Sequence, residues 1–368
     1  MSASAAGLRH CLVFRDKLLL PSEGFIKSHY EGFDALCPAF VANRFGWCEA
    51  ELNGAKYGTA RGLLGQFLFK QTGRMDLTDL RALNALSLHA HFGRGGALAL
   101  PIAKALNLPL YVTFHGGDAT KNTHRRRRLI PTIYQRRLAD LQTYARGFLC
   151  VSQFVAQRLQ DQGFPADKLI THYIGIDCTH LQPPRRRDGR LLFIGRLVGK
   201  KGVDILLAAL RQMQASGQTV PGVDIAGSGP MEASLRQMAA DLPQVRFLGW
   251  QTPPQLARHL AECSAVIVPS READDGDCEG LPTVVLEAIR AGAPVIATRH
   301  AGIPEIIDDG ITGLLAVEND VGALAELLNQ ADAMREDLPQ MAVAAQTRLR
   351  QDFNAKDQSK RLQEYLMA

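Results

Sequence analysis

The stretch EGLPTVVLEAIRAGAPVIAT, residues 279–298, changes from helical to strand-like pattern midway and so sets the class of the fold. Pro282 suits the first turn of a helix, where its missing N–H costs no hydrogen bond. Val284, Val285, Leu286 and Ile289 make that helix apolar nearly all round, and Gly292 stops it just past Ala291. PVIATR, at 294–299, is a short run rich in branched residues and reads as a buried strand. AVIVPS, at 265–270, is a matching run before the helix, so the whole segment is a β-α-β unit.

The pattern repeats outward. LLFIG (191–195), VDIAGSG (223–229) and VRFLGW (245–250) each precede a helical pattern. CLVF (11–14), LHAHF (88–92), PLYVTFH (109–115), FLCVS (148–152) and LITHYIG (169–175) do the same work in the first half. Strands alternating with helices of this length imply a parallel, doubly wound sheet in each half, an α/β class of fold. LQPPRRRDGR (181–190) has no periodicity and is read as the linker. The expectation is therefore two Rossmann-like domains facing across a cleft, with ligands at the carboxyl ends of the strands. Neither half has GxGxxG after its first strand; GRGG (93–96) and GSGP (227–230) read as glycine turns. A nicotinamide dehydrogenase is disfavoured on that ground.

A chain of 368 residues is too long for one ordinary core, in keeping with two domains. With 46% hydrophobic and 21% charged residues, it has the composition of a soluble globular protein. The seven cysteines, at 11, 37, 48, 150, 178, 263 and 278, are odd in number and lack CxxC spacing, which points to reduced thiols rather than a disulfide framework or zinc site. No signal peptide is visible and no run approaches the ~18 apolar residues of a membrane span, so a cytoplasmic protein is expected. The net charge is +5, yet Lys121–Arg158 alone holds nine Lys or Arg against one acid, Asp140. There HRRRRLIPTIYQRRL interleaves arginines with Leu129, Ile130, Ile133, Tyr134 and Leu138. Such a surface suits an anionic membrane face, with the protein peripheral on its inner side, or an anionic acceptor.

Two constellations can carry chemistry. In the first, Thr283 and Glu287 are i and i+4 and share a helix face, with Glu279 just outside the N-terminus. Gly280 lets the backbone approach a ligand, and the free N–H groups near Leu281 to Val284 suit a diphosphate. A carboxylate is a good acceptor for vicinal hydroxyls, and Glu287 on so apolar a helix needs a partner. In the second, FIGRLVGKKGVD (193–204), Arg196 and Lys201 lie in the loop at a strand's carboxyl end, where they can hold a phosphate or be solvated loop cations.

GRLVGKKG followed by EGLPTVVLEAIRAGAPVIAT resembles the donor-binding domain of family 4 retaining glycosyltransferases of the GT-B fold, of the type that serves bacterial polysaccharide and glycoconjugate biosynthesis. That family's E-x7-E pair falls on Glu279 and Glu287. The likeness extends through AGIPEII (301–307) and GITGLL (310–315), and back through HAHFGRGGALALPIAKALNLPLYVTFHGGDAT (89–120). The resemblance implies an acceptor-binding domain over 1–180, the linker, a sugar-nucleotide domain over 191–345, and a C-terminal helix over 346–368 with a candidate return to the first domain. Glu287 would bind the ribose, and Arg196 and Lys201 the diphosphate. Glu279, with the backbone of Gly280 and Leu281 beside Pro282 and Thr283, would hold the donor sugar. His115 of HGGD would approach that sugar, Asp118 with Arg125 and Arg126 would serve the acceptor, and Glu23 and Gly24 match a loop near the diphosphate, although the usual double glycine is replaced by SEGF. Transfer with retention of configuration is implied, from a nucleotide-diphosphate sugar such as GDP-mannose or a UDP-hexose, to a glycan, lipid-linked or small-molecule acceptor.

Three other readings stay open. Asp275 and Asp277 could ligate a divalent cation, but Arg196 and Lys201 make a metal redundant, and no metal or other cofactor is expected. A sugar-nucleotide epimerase could use the same fold without an acceptor cleft. A non-enzymatic basic surface protein would rest on residues 121–158, where no nucleic-acid module accompanies the arginines, so no nucleic-acid partner is expected.

Overall fold

A computed structural model of the chain describes residues 9–18, 25–46, 52–60, 62–121, 131–185, 187 and 189–368. It divides into two units, residues 1–175 with 355–368, and residues 176–354.

The first unit runs β1 (Arg9–Leu18), α1 (Phe25–Ser28), β2 (Leu36–Phe45), β3 (Lys56–Gly58), α2 (Gly62–Thr72), α3 (Thr78–Ala82), β4 (Ser87–His91), α4 (Gly93–Leu106), β5 (Leu110–Phe114), α5 (Gly117–Thr120), α6 (Ile133–Tyr144), β6 (Gly147–Cys150), α7 (Gln153–Gln160) and β7 (Leu169–Thr171). Its strands pair in parallel in the order β3-β2-β1-β4-β5-β6-β7. Alternation along β1 sends Leu12 and Phe14 into one apolar layer, with Phe69, Phe114 and Phe148, and Cys11 and Val13 into the opposite layer. Burial on both faces explains why these strands read as continuous apolar runs.

The second unit runs β8 (Leu191–Ile194), α8 (Val203–Ala215), β9 (Val223–Ala226), α9 (Glu232–Met238), β10 (Val245–Gly249), α10 (Pro253–Glu262), β11 (Ala265–Val268), α11 (Thr283–Arg290), β12 (Val295–Thr298), β13 (Leu314–Ala316), α12 (Val321–Ala333) and α13 (Leu338–Asp352). Its order, β10-β9-β8-β11-β12-β13, is again wholly parallel. Phe193, Ile225, Ile267 and Ile296 of the sheet pack with Leu206 and Leu210 of α8 and Leu324 and Leu328 of α12. The strand order reverses between β8 and β11, and the loops leaving those two strands carry residues 195–202 and 269–282. A crevice at such a switch point is where doubly wound sheets bind ligands.

Several expectations need correction. The stretch 181–190 belongs to the second unit: Gln182 N–H donates to Arg290 O, and Arg187 donates to Leu260 O and Ala291 O. The last 23 positions are not one helix, because α13 ends at Asp352 and α14 (Ala355–Met367) joins the first unit. There Gln363 Oε1 accepts from the N–H groups of Asp34, Ala35 and Leu36 at 2.9–3.0 Å, and Leu362 and Leu366 fill the layer under Val13. GRGG is no turn but the first turn of α4: a Cβ on Gly96 would come within 2.8 Å of Val112 Cγ2, so only glycine brings this helix so close to β5. Strands β2, β3 and β13 lay outside the runs named from the sequence. Pro38 near the start of β2 masks it, and β3 and β13 are three residues each.

Candidate active site

At the switch point of the second unit, the sequence folds two loops onto each other. The loop after β8 makes a short 3-10 turn at Gly199–Lys201, and the loop after β11 leads through Asp277 and Glu279 into α11. Arg271 N–H donates to Lys200 O at 2.9 Å and joins the two. Their side chains meet in an ion-pair cluster. Lys201 Nζ lies 3.2 Å from Glu279 Oε1, and Lys200 Nζ lies 3.6 Å from the same oxygen and 3.2 Å from Asp277 Oδ1. Glu279 is only 8% exposed. Burial pushes its carboxyl up, but Lys201 and Lys200 more than offset this and hold it below the usual carboxylate range. Burial likewise opposes the charge on Lys200, and Glu279 and Asp277 overcome it, so its ammonium sits above the ordinary lysine value.

Glu279 N–H also donates to His300 Nε2 at 3.3 Å, and the other ring nitrogen of His300 bonds Glu318. Gly280 O accepts from Gly302 N–H at 3.0 Å, and Gly280 and Leu281 are buried. Pro282 is the residue capping α11 rather than part of its first turn, and Thr283 is the first helical residue. Glu287, half-buried on the next turn, has its carboxyl raised by burial, against weaker lowering by Arg290, Thr283 and Lys201. Lys201 therefore acts electrostatically on both glutamates. Arg196 is exposed on the β8 loop, and among the described residues no carboxylate pairs with it. Six of the residues singled out from the sequence, Glu279, Gly280, Leu281, Pro282, Thr283 and Lys201, thus come together, with Glu287 one turn on. Lys200 and His300 were missed. The doubled lysine in GKKG was read as one, and His300 stood just before AGIPEII.

In the first unit, His115 leaves β5 and ends a hydrogen-bonded chain. Thr113 Oγ1 lies 2.6 Å from His89 Nε2, His89 Nδ1 lies 2.7 Å from the Tyr30 hydroxyl, that hydroxyl lies 2.6 Å from His91 Nε2, and His91 Nδ1 lies 3.1 Å from His115 Nε2. Burial, then neighbouring histidines, hold His89, His91 and His115 well below the ordinary imidazole range, so all three are neutral. A neutral imidazole has one N–H and the tyrosine one O–H, so the tautomers are coupled. If Tyr30 donates to His89, His91 donates to Tyr30 and His115 donates to His91; the alternative reverses every bond. Replacing Tyr30 by Phe keeps the ring but leaves two buried nitrogens without their partner. A loss of about 1–3 kcal/mol is expected, read as a lowered urea midpoint, and an unchanged midpoint would refute the coupling.

Asp118 has a structural task. Its Oδ2 accepts from Gly93 N–H at 3.0 Å, and its Oδ1 accepts from His115 N–H at 2.9 Å and Gly116 N–H at 3.1 Å. It ties the His115 loop to the start of α4, while burial raises its carboxyl against those donors. Glu23, Gly24, Arg125 and Arg126 lie outside the described residues. Asp277 is held by Lys200, and Asp275 Oδ1 accepts from Asp277 N–H at 3.1 Å. Among the described residues no cluster of His, Cys, Asp and Glu has metal-holding geometry, and no helix is long and apolar enough to cross a membrane.

The chain matches known proteins in both halves. Residues 67–180 match the family described as Glycosyltransferase Family 4, and residues 188–331 the family described as Glycosyl transferases group 1. It is 31% identical over 273 residues to the amylovoran biosynthesis glycosyltransferase AmsK of Erwinia amylovora, covering 72% of this chain and 65% of that protein. The match thus spans a little under two thirds of that relative's length. It is 40% identical over 135 residues, 36% of this chain and 35% of the relative, to a GDP-mannose-dependent monoacylated alpha-(1-6)-phosphatidylinositol monomannoside mannosyltransferase of Corynebacterium glutamicum. In structure it resembles HepE of Anabaena, solved with UDP, at a TM-score of 0.76 and 18% identity over 98% of this chain and 99% of that one. Together with the two parallel sheets, this likeness gives the fold as GT-B.

Proposed function

The chain belongs to the glycosyltransferases of family 4 and group 1, and on that premise we propose that it moves a hexosyl group from a nucleotide-diphosphate sugar to a hydroxyl acceptor, with retention of configuration. The observation that carries this reading is the buried Glu279 held ionised by Lys201 and Lys200 at the switch point, with the start of α11 and Glu287 beside it. Glu287 takes the ribose hydroxyls, which add donors to the one that Thr283 gives its half-buried carboxylate. The diphosphate lies at the first turn of α11, where free N–H groups meet an anion, with Lys201 and the exposed Arg196 adding charge. Glu279 and the Gly280–Leu281 backbone hold the sugar. In the first unit His115 is the candidate for donor-sugar contact, with Asp118 fixing its loop and the tyrosine–histidine chain coupling its tautomer to those of His91 and His89.

In the step itself, the acceptor oxygen bonds to the anomeric carbon as the bond from that carbon to the phosphate oxygen breaks. The acceptor proton passes to the departing phosphate on the same face, and the nucleoside diphosphate leaves. Lys201 and Arg196 stabilise the charge that develops there. No metal is required in this scheme, since Asp277 is committed to Lys200, and transfer is expected to persist in excess chelator. Polysaccharide or glycoconjugate assembly is the context, following AmsK, with GDP-mannose or a UDP-hexose as donor.

A thermal-shift panel of GDP- and UDP-sugars decides the donor. One donor is expected to raise the melting midpoint of the parent by several degrees, and Glu287→Ala to lose most of that shift. No stabilisation by any nucleotide sugar would sink the proposal.

A further inference from the structure

The cradle at the switch point is also gripped by a third loop, the one that follows β12. There residues 299–302 lead into a 3-10 turn at Ile303–Glu305. His300 is 2% exposed, and its backbone is tied on both sides: its N–H donates to Thr298 O at 2.8 Å, and its carbonyl accepts from Ile303 N–H at 3.0 Å. Two bonds cross from this loop to the one before α11. His300 Nε2 accepts from Glu279 N–H at 3.3 Å, and Gly302 N–H donates to Gly280 O at 3.0 Å. Between them Ala301 has φ +49°, a left-handed conformation that a residue with a Cβ adopts only at a cost. The strained residue thus sits between the two that grip the Glu279–Gly280 backbone. These contacts leave the neutral ring of His300 one form. An amide can only donate, so Nε2 carries the lone pair and the proton sits on Nδ1, which donates to the Glu318 carboxylate just beyond β13. Unlike the tyrosine–histidine chain of the first unit, neither bond can reverse. Glu279 is held at both ends, its carboxylate by Lys201 and Lys200 and its amide by His300.

We propose that His300 is a positioning residue of the transfer: as the Nδ1–H tautomer anchored by Glu318, it fixes the Glu279–Gly280 backbone in the orientation that receives the donor sugar. The proposal rests on the transfer reading above. In that reading Glu279 and the backbone after it hold the sugar, while Glu287, Lys201, Arg196 and the first turn of α11 hold the nucleoside diphosphate. Removing the acceptor on His300 leaves the buried Glu279 N–H without this partner, and a buried donor deprived of its acceptor pulls its backbone toward another. The effect therefore falls on the sugar end and spares the nucleotide end. A histidine that only filled the core would, when replaced, weaken both ends alike.

The test sets UDP-glucose and GDP-mannose against UDP and GDP, on the full chain and on variants of His300 and Glu318. His300→Leu is expected to lower kcat/KM for the nucleotide sugar by about tenfold or more, while the Kd of the matching nucleoside diphosphate stays within about twofold. Glutamine reaches about as far as Nε2 and offers a carbonyl oxygen, so His300→Gln should return to within about threefold of the parent. Glu318 is only partly buried, and Glu318→Leu is the variant less exposed to misfolding. It strips Nδ1–H of its acceptor and should weaken nucleotide-sugar use by about threefold or more, whereas Glu318→Gln keeps an acceptor and should match the parent. Equal weakening of nucleotide sugar and nucleoside diphosphate, no recovery with glutamine, or a Glu318→Leu that behaves as the parent would each overturn the proposal. The tautomer is read independently by NMR of protein labelled at the histidine nitrogens, with the His300 signals identified by their loss in His300→Gln. A protonated Nδ1 and a bare Nε2 are expected, and the reverse overturns the proposal too. A parent that shows the expected tautomer but binds none of these nucleotides would refute the transfer reading, and with it the role in transfer, while upholding the grip on Glu279.

Discussion

Replacing Lys201 by alanine is expected to slow glycosyl transfer by about 10²–10³-fold, the scale seen when one preorganised donor to a developing anion is removed. Its ammonium sits 3.2 Å from Glu279, and it lowers the carboxyl of Glu287 as well, so one deletion weakens both ends of the donor cradle. Lys200 cannot take over, being 3.6 Å from Glu279 and already shared with Asp277. The substitution also has a signature independent of turnover. Because the folded-state value of Glu279 is depressed, its ionised form stabilises the fold above the unfolded-state value and that contribution is lost as pH falls through the folded-state value. Without Lys201 the depression of Glu279 shrinks, so its ionised form stabilises the fold less at neutral pH and less is left to lose on acidification. Urea midpoints should therefore be lower in Lys201→Ala than in the parent at neutral pH, and the gap should narrow as pH is taken down to about pH 4. Lys201→Arg keeps the charge and should recover part of both effects. A rate within about threefold of the parent would remove Lys201 from the leaving-group role.

The second unit was the more legible half of the sequence, and the reason is physical. Its strands are short, buried on both faces and separated by amphipathic helices, so period and apolar content agree at β8, β9, β11 and β12. The turn into α11 announces itself through Gly280 and Pro282. In the first unit, β2 carries Pro38, and the glycines of α4 that allow its close approach to β5 look like a turn until the neighbour is known. The same limit applies to the site. Glu279, Glu287 and Lys201 are named by local spacing, but that Lys201 reaches Glu279 depends on two loops 78 positions apart. His91 and Tyr30 are 61 positions apart, and nothing local to either predicts their 2.6 Å contact.

Gly202→Ala is expected to destabilise the second unit by about 3–5 kcal/mol and to remove donor binding with it. Gly202 has φ +66° and caps α8, and a Cβ there would lie 1.7 Å from Pro269 O. The left-handed conformation alone costs roughly 1–2 kcal/mol for an L residue. The overlap adds more, because the obstacle is backbone, not a side chain that can swing aside. Pro269 cannot retreat freely: the next residue, Ser270, accepts from the Thr298 hydroxyl through its carbonyl, and Arg271 N–H holds Lys200 O. Any shift that admits the methyl therefore pulls directly on the loop that sets Lys200 and Lys201 against Glu279. Gly217→Ala is the control, since its φ of +68° is nearly the same but nothing lies within 4 Å of the added carbon. It should cost only the conformational share and leave the nucleotide-sugar thermal shift intact. If Gly202→Ala unfolded within about 1 kcal/mol of that control, or kept the parent's thermal shift, the close approach of the two loops would not be what holds the lysine pair in place.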